Sequence, residues 1–77
     1  IMYRLALAYW FNNQQREAVF FFNEVLNILP NHPQALYYLA YYYASMGNQR
    51  LADEKIERLG LVPGGEQYLK RLKKDKL

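Results

Sequence analysis

Two side chains of the 77-residue sequence are natural candidates for acid–base or nucleophilic catalysis. His32 is the sole histidine, and Ser45 is the sole serine. His32 directly precedes Pro33 at a predicted helix start, where a capping or solvent-exposed role is expected rather than that of a base or metal ligand. Ser45 has no base near it in the sequence that could activate its hydroxyl. Neither residue indicates an active site.

The acidic residues offer no better catalytic candidate. Asp53, Glu54 and Glu57 cluster on one segment but alternate with Lys55 and Arg58, which is typical of a solvated helix face. The sequence contains no cysteine, which excludes disulfides and thiolate metal sites. It also lacks the motifs of zinc proteases, dinucleotide-binding folds, phosphate-binding loops and serine hydrolases. We therefore expect a protein that is not an enzyme and uses no cofactor.

The aromatic content indicates binding chemistry instead. Aromatic residues make up 17% of the chain, with eight tyrosines, four phenylalanines and one tryptophan. Tyrosine and tryptophan combine a large contact area with one polar group, which makes them frequent anchors of protein interfaces. The chemistry that these residues favour is noncovalent recognition of another macromolecule.

The elements that would position these rings recur every 34 residues. The residues that return unchanged are Tyr3, Leu5, Ala6, Tyr9, Gln15, Arg16 and Ala18 in the first copy, and Tyr37, Leu39, Ala40, Tyr43, Gln49, Arg50 and Ala52 in the second. Within each copy the leucine, alanine and tyrosine follow the spacing of one α-helix face. A repeat of this length predicts stacked helical hairpins.

Both copies resemble the tetratricopeptide repeat, a helix–turn–helix unit of the same length. The residues that carry the resemblance are Met2, Leu5, Ala6, Tyr9, Ala18, Phe22 and Pro30, then Leu36, Leu39, Ala40, Tyr43, Ala52, Ile56 and Pro63. The resemblance covers residues 1 to about 64. It implies an all-α solenoid of hairpins wound into a right-handed superhelix, with Tyr9, Tyr43 and Phe22 inside the core.

Local signals predict where the helices begin and end. Asn13 and Gly47 occupy the same repeat position and suit the left-handed conformation that ends a helix. Asn31 is expected to cap the third helix, with Pro33 in its first turn. The predicted helices lie near 1–12, 15–29, 32–46, 49–60 and 66–76.

We expect one domain over 1–77, divided into a first repeat, a second repeat and a basic capping helix. The three parts are 1–30, which lacks the first two repeat positions, 31–64 and 65–77. Two repeats are fewer than the roughly three that a stable stack usually needs, so upstream repeats or a bound partner are expected to complete the core. Gly64 and Gly65 precede the cap and are expected to let it reorient.

The resemblance also implies a concave groove lined by the first helix of each hairpin. The residues carried over to that groove are Tyr3, Arg4, Leu7, Trp10, Phe11, Gln34, Tyr37, Tyr38, Tyr41, Ala44 and Ser45. Chaperone-binding members hold a terminal carboxylate with lysine and asparagine in this groove, but Tyr3, Leu7 and Tyr38 stand at those places. We therefore expect a scaffold, adaptor or chaperone-like module that binds an apolar or aromatic peptide or an amphipathic helix of another protein.

Three consecutive phenylalanines cannot all face one side of a helix. Phe22 belongs to the core pattern, which leaves Phe20 and Phe21 to meet an upstream repeat or another molecule. An upstream repeat is the favoured explanation, and self-association into a homo-oligomer through Phe20 and Phe21 is the alternative.

The net charge of +3 arises entirely in the last predicted helix. A solvated capping face is favoured there, and binding to nucleic acid or an anionic surface is the alternative. Nucleic acid is disfavoured because only Tyr68 is interleaved for base stacking. No transmembrane run is present, and the sequence names no compartment, although the cytoplasm is favoured. The basic residues of this helix are Lys70, Arg71, Lys73, Lys74 and Lys76.

Overall fold

A computed structural model of the protein describes residues 2–74, which form five α-helices and no strand. The first two helices pack as one hairpin, the next two as a second, and the fifth contacts both helices of the second hairpin. This confirms the predicted all-α hairpin architecture. The helices are α1 (Met2–Phe11), α2 (Gln15–Ile28), α3 (Pro33–Ser45), α4 (Gln49–Leu61) and α5 (Glu66–Lys74).

The turn inside each hairpin has the same geometry at the same repeat position. Asn13 has a φ of 62° and Gly47 a φ of 80°, so both adopt the predicted left-handed conformation. The backbone N–H of the following residue then donates to the carbonyl of a tyrosine five residues earlier, at 2.9 Å in the first hairpin and 2.8 Å in the second. This pattern satisfies carbonyls that a helix end would otherwise leave unpaired.

The cap of α3 lies one residue later than predicted. The N-cap is His32, whose Nδ1 accepts a hydrogen bond from the backbone N–H of Ala35 at 3.2 Å. The prediction of Asn31 was wrong because Pro33 is itself the first helical residue, and a proline disfavours the helical conformation in the residue directly before it. Burial lowers the pKa of His32, which favours the neutral imidazole that this hydrogen bond requires.

The core forms where small residues let helices approach closely. Ala6, Ala18, Ala40 and Ala52 are all fully buried, as the repeat pattern predicts. The largest fully buried side chains are Phe22, Leu36, Leu39 and Leu59. Tyr9 and Tyr43 are only partly buried and pack against this core from its edge.

Leu5 departs from the expected core pattern. Its side chain is 41% exposed, whereas Leu39, at the same position of the second repeat, is completely buried. The difference follows from the packing partners, because α2 lies against α3 but no helix of the described residues precedes α1 in the stack.

Helix α5 packs through a single apolar stripe. Leu72 is 3% exposed, and Tyr68 and Leu69 are partly buried against the core. The basic residues of the helix within the described range are exposed, which agrees with a solvated face, and Lys76 lies outside that range. These exposed residues are Lys70, Arg71, Lys73 and Lys74.

The turn before α5 is closely packed, contrary to the expectation that its glycines let the helix reorient. Gly65 is buried, and a Cβ atom added to it would lie 2.0 Å from the backbone oxygen of Leu59. Its own N–H donates to the Val62 carbonyl at 2.9 Å, and its carbonyl accepts from Tyr68 and Leu69 at 3.1 Å. The close approach of two backbones, rather than flexibility, explains this glycine.

No helix in residues 2–74 is long and apolar enough to span a lipid bilayer.

Replacing Phe22 by alanine should lower the free energy of unfolding by about 3–5 kcal/mol, because the ring is fully buried. Phe20 is 59% exposed on the same helix, so Phe20→Ala is the matched control and should cost less than about 1 kcal/mol. Urea unfolding followed by circular dichroism would compare the two variants. Equal losses would show that the phenylalanine assigned to the core is the wrong one.

Gly65→Ala should destabilise the packing of α5 by about 1–3 kcal/mol or more, because the new methyl group meets backbone that cannot move aside easily. Gly60→Ala is the control, since its added Cβ would lie 3.5 Å from Leu69, an ordinary contact distance. Within a helix this second change should be neutral or stabilising. Hydrogen exchange of the α5 amides would report the effect, and unchanged protection in Gly65→Ala would contradict it.

Candidate aromatic binding cleft

Side chains from α1, α3 and α5 enclose a cleft of about 310 Å³, with one residue from the start of α2. We call it the aromatic cleft. It brings together five of the predicted groove residues on one surface. Its lining consists of Trp10, Phe11, Gln15, Tyr37, Tyr38, Tyr41 and Arg71.

The rings of the aromatic cleft hold one another in place. Trp10 meets Tyr38 edge-on at 5.3 Å between ring centroids and Tyr41 at 6.1 Å. Tyr38 is stacked on the buried ring of Phe22 at 5.0 Å, with the ring planes 8° apart. Phe11 stands at the rim with 73% of its side chain exposed and meets Tyr38 edge-on. Trp10, Tyr38 and Tyr41 are therefore held by contact with the core, whereas Phe11 is held mainly by Tyr38.

Tyr37 does not form the exposed contact that was predicted for it. Only 5% of its side chain is exposed, and it forms the floor beneath Tyr38, Tyr68 and Arg71. The reason is α5, which packs against α3 and covers this ring. Tyr37 therefore belongs to the core, with one edge reaching the cleft.

Arg71 was predicted as part of the basic capping helix, with a solvated face favoured and binding to nucleic acid or an anionic surface as the alternative, yet it lines the aromatic cleft. Its guanidinium carbon lies 5.0 Å from the centroid of the Tyr37 ring, within the range of a cation–π contact. A sequence signal for this placement exists, because Arg71 follows Tyr37 by one repeat length and so occupies the same groove position. Gln15 was also missed, and no helix-face argument from the repeat would have placed it there.

The phenol groups on this surface influence one another. Burial, with smaller contributions from Tyr38 and Tyr68, raises the pKa of Tyr3 from 10.0 to about 12. Burial also raises the pKa of Tyr38, although the nearby Arg71 cation opposes that rise. These hydroxyls therefore remain protonated and can donate hydrogen bonds well above neutral pH.

Comparison with known protein families gives a match to the first hairpin, which contributes Trp10 and Phe11 to the cleft. A family model described as the tetratricopeptide repeat matches residues 1–32, which contain α1 and α2. The first hairpin is therefore similar to a tetratricopeptide repeat. Such repeats are a noncatalytic fold of protein–protein interaction. No curated protein and no solved structure matches the chain significantly.

The remaining groove residues lie beside the aromatic cleft rather than in it. Tyr3 is partly buried in the first hairpin, with its ring 4.8 Å from that of His32. Leu7 packs partly buried against the core, and Gln34 is also partly buried. Ser45 is exposed, and its hydroxyl donates to the Tyr42 carbonyl at 2.8 Å.

The phenylalanine patch of the first hairpin is smaller than its sequence indicates. Phe21 is partly buried and stacks on Tyr9 at 5.5 Å, with the planes 4° apart. Phe20 is left exposed and meets Phe21 edge-on at 5.1 Å. A separate, more open groove of about 490 Å³ runs along α1, lined by Leu5, Ala8, Tyr9, Phe11, Asn12 and Gln14.

The candidates for catalysis remain apart from one another. His32 serves as the cap of α3, and Asp53 accepts a hydrogen bond from Gln49 at 2.7 Å on the solvent face of α4. Within residues 2–74, no three histidine, cysteine, aspartate or glutamate side chains come together as a metal site.

The raised pKa of Tyr3 predicts a specific loss of stability in alkali. The folded protein holds this proton up to about pH 12, whereas the unfolded chain loses it near 10.0, so stability falls as the pH rises between these values. Tyr3→Phe, which removes the ionisable group, should weaken that dependence. Urea unfolding across this pH range would measure it, and identical pH dependence of the two proteins would refute the assignment.

Proposed function

We propose that this protein is a noncatalytic interaction module that binds an apolar or aromatic segment of another protein in its aromatic cleft. The observation that carries the proposal is the set of rings held edge-to-face around Trp10 at the junction of both hairpins. Similarity of the first hairpin to a protein-interaction fold supports it.

The exposed aromatic surface gives the physical reason for binding. Phe11 is 73% exposed, and Trp10 and Tyr41 are only partly covered. Removing such apolar area from water contributes about 25 cal/mol per Å². Because the rings already pack against Phe22 and one another, a ligand loses little affinity to ordering them.

The size of the aromatic cleft limits what can occupy it. At about 310 Å³ it lies near the lower end of ligand pockets, which span roughly 300–1,000 Å³. It can take a few side chains from a peptide or from one face of an amphipathic helix, but not a folded domain. These are the two recognition modes in which short anchors enter an apolar groove.

Self-association is a second candidate, favoured by the exposure of Phe20 and Leu5. Both lie outside the aromatic cleft, so the two functions are separable. Sedimentation of Phe20→Glu beside the unchanged protein would distinguish a homo-oligomer from a monomer that binds other proteins.

Selection from a library of random peptides of about twelve residues tests the proposed function directly. Peptides that the chain retains should be enriched in aromatic and aliphatic residues. Trp10 is the single tryptophan and lines the cleft, so bound peptides should change its fluorescence. Retained peptides that leave this emission unchanged would place the binding surface elsewhere.

Tyr41→Ala should weaken the binding of a selected peptide by about 1–3 kcal/mol, because Tyr41 lines the cleft. Tyr43→Ala is the matched control on the same helix. Its ring packs against the core outside the cleft, so this change should cost about 2 kcal/mol or more of stability and leave affinity unchanged. Titration of Trp10 fluorescence and urea unfolding measure the two effects. If both variants lose stability equally and bind equally, Tyr41 is a core residue.

A further inference from the structure

We propose that the segment bound by the aromatic cleft carries an acidic side chain beside its apolar anchor, and that Arg71 with the hydroxyls of Tyr38 and Tyr68 receives the carboxylate. This inference rests on the proposed function and specifies the partner of the same site. The carboxylate subsite is defined by these three residues.

The side chains of these three residues pack around one buried ring. The ring centroid of Tyr38 lies 5.0 Å from that of Tyr37, the ring centroid of Tyr68 lies 5.6 Å from it, and the guanidinium carbon of Arg71 lies 5.0 Å from it. Tyr37 is almost fully buried, so it provides a rigid base from which α3 and α5 present their polar atoms. The carboxylate subsite thus lies at the edge of the aromatic cleft, next to the place of an apolar anchor.

Arg71 is the only charged residue that lines the aromatic cleft among the described residues. The ion pair found in residues 2–74 joins Lys55 and Glu54 at 3.8 Å on α4, so no carboxylate in that range neutralises Arg71. A guanidinium carries five N–H donors, and no side-chain hydrogen bond found within residues 2–74 uses those of Arg71.

The tyrosine hydroxyls add further donors. Within the described part of the chain, the hydroxyls of Tyr38 and Tyr68 have no hydrogen-bond partner. Each must lose water when a ligand covers it, which is unfavourable unless the ligand supplies an acceptor. Burial keeps Tyr38 protonated by raising its pKa, so it serves as a donor to an anion.

These properties favour a partner segment with an acidic side chain over a purely apolar or a basic segment. A purely apolar segment would cover the donors without replacing their water, and a basic segment would be repelled by Arg71. A carboxylate accepts from several donors at once and pairs with the guanidinium.

The test uses random peptides of about twelve residues, fused through their C-termini to a phage coat protein so that no free terminal carboxylate is offered. The full chain, Arg71→Glu and Lys73→Glu are selected in parallel. The last two variants carry the same net charge, but Lys73 does not line the aromatic cleft. Circular dichroism establishes that each variant is folded.

We expect the unchanged protein and Lys73→Glu to retain peptides that combine an aromatic or aliphatic residue with aspartate or glutamate. Arg71→Glu should lose the acidic preference or exchange it for lysine and arginine. For one selected peptide that contains glutamate, Arg71→Glu should raise Kd by about fivefold or more. When glutamine replaces the glutamate of that peptide, the unchanged protein and Arg71→Glu should bind it with the same Kd.

Tyr68→Phe gives a second test should Arg71→Glu prove unfolded. It removes one hydroxyl and keeps the ring, so it should reduce acidic enrichment while apolar enrichment persists. If the selected peptides are apolar and carry no acidic residue, the carboxylate subsite is wrong and the proposed function still stands. The same conclusion follows if the unchanged protein and Arg71→Glu select the same peptides. Absence of any enrichment would overturn the proposed function and this inference together.

Discussion

The ring of Phe22 connects the first hairpin to the second. This fully buried side chain of α2 lies 6.2 Å from Tyr3, 6.1 Å from Trp10 and 5.0 Å from Tyr38. Since the first two belong to α1 and the third to α3, one residue sets the relative position of both groove helices. The aromatic cleft lies between those helices but is not lined by Phe22. Its shape therefore depends on a core residue that a bound ligand would not contact.

Features controlled by neighbouring residues along the chain could be predicted from sequence. The left-handed turns at Asn13 and Gly47 need only a residue that tolerates positive φ, and the repeat places one at each turn. The buried alanines and Phe22 follow from helix periodicity in the same way. The cap of α3 shows the limit of such rules, because Pro33 is the first helical residue and the N-cap is therefore His32 rather than the predicted Asn31.

Burial at a given repeat position depends instead on the neighbouring helix, which periodicity does not identify. Leu5 and Leu39 share a position, yet only Leu39 is covered. Tyr3 and Tyr37 also share a repeat position. Helix α5 covers Tyr37, whereas Tyr3 remains partly exposed. The aromatic cleft contains Trp10, Phe11, Tyr38 and Tyr41, which the repeat predicts for the groove, together with an arginine from α5 that the repeat pattern was not used to predict.

The contact between Gly65 and the Leu59 carbonyl has a consequence for ligand choice. It fixes α5 against the end of α4, and α5 both covers Tyr37 and supplies Arg71. A stack without this helix would present a deeper, uncharged and more aromatic surface in place of a partly cationic one. Under the proposed function, a substitution at this turn would change which proteins are recognised without altering any residue that a ligand touches. Specificity in such a small stack can evolve through the backbone of a turn.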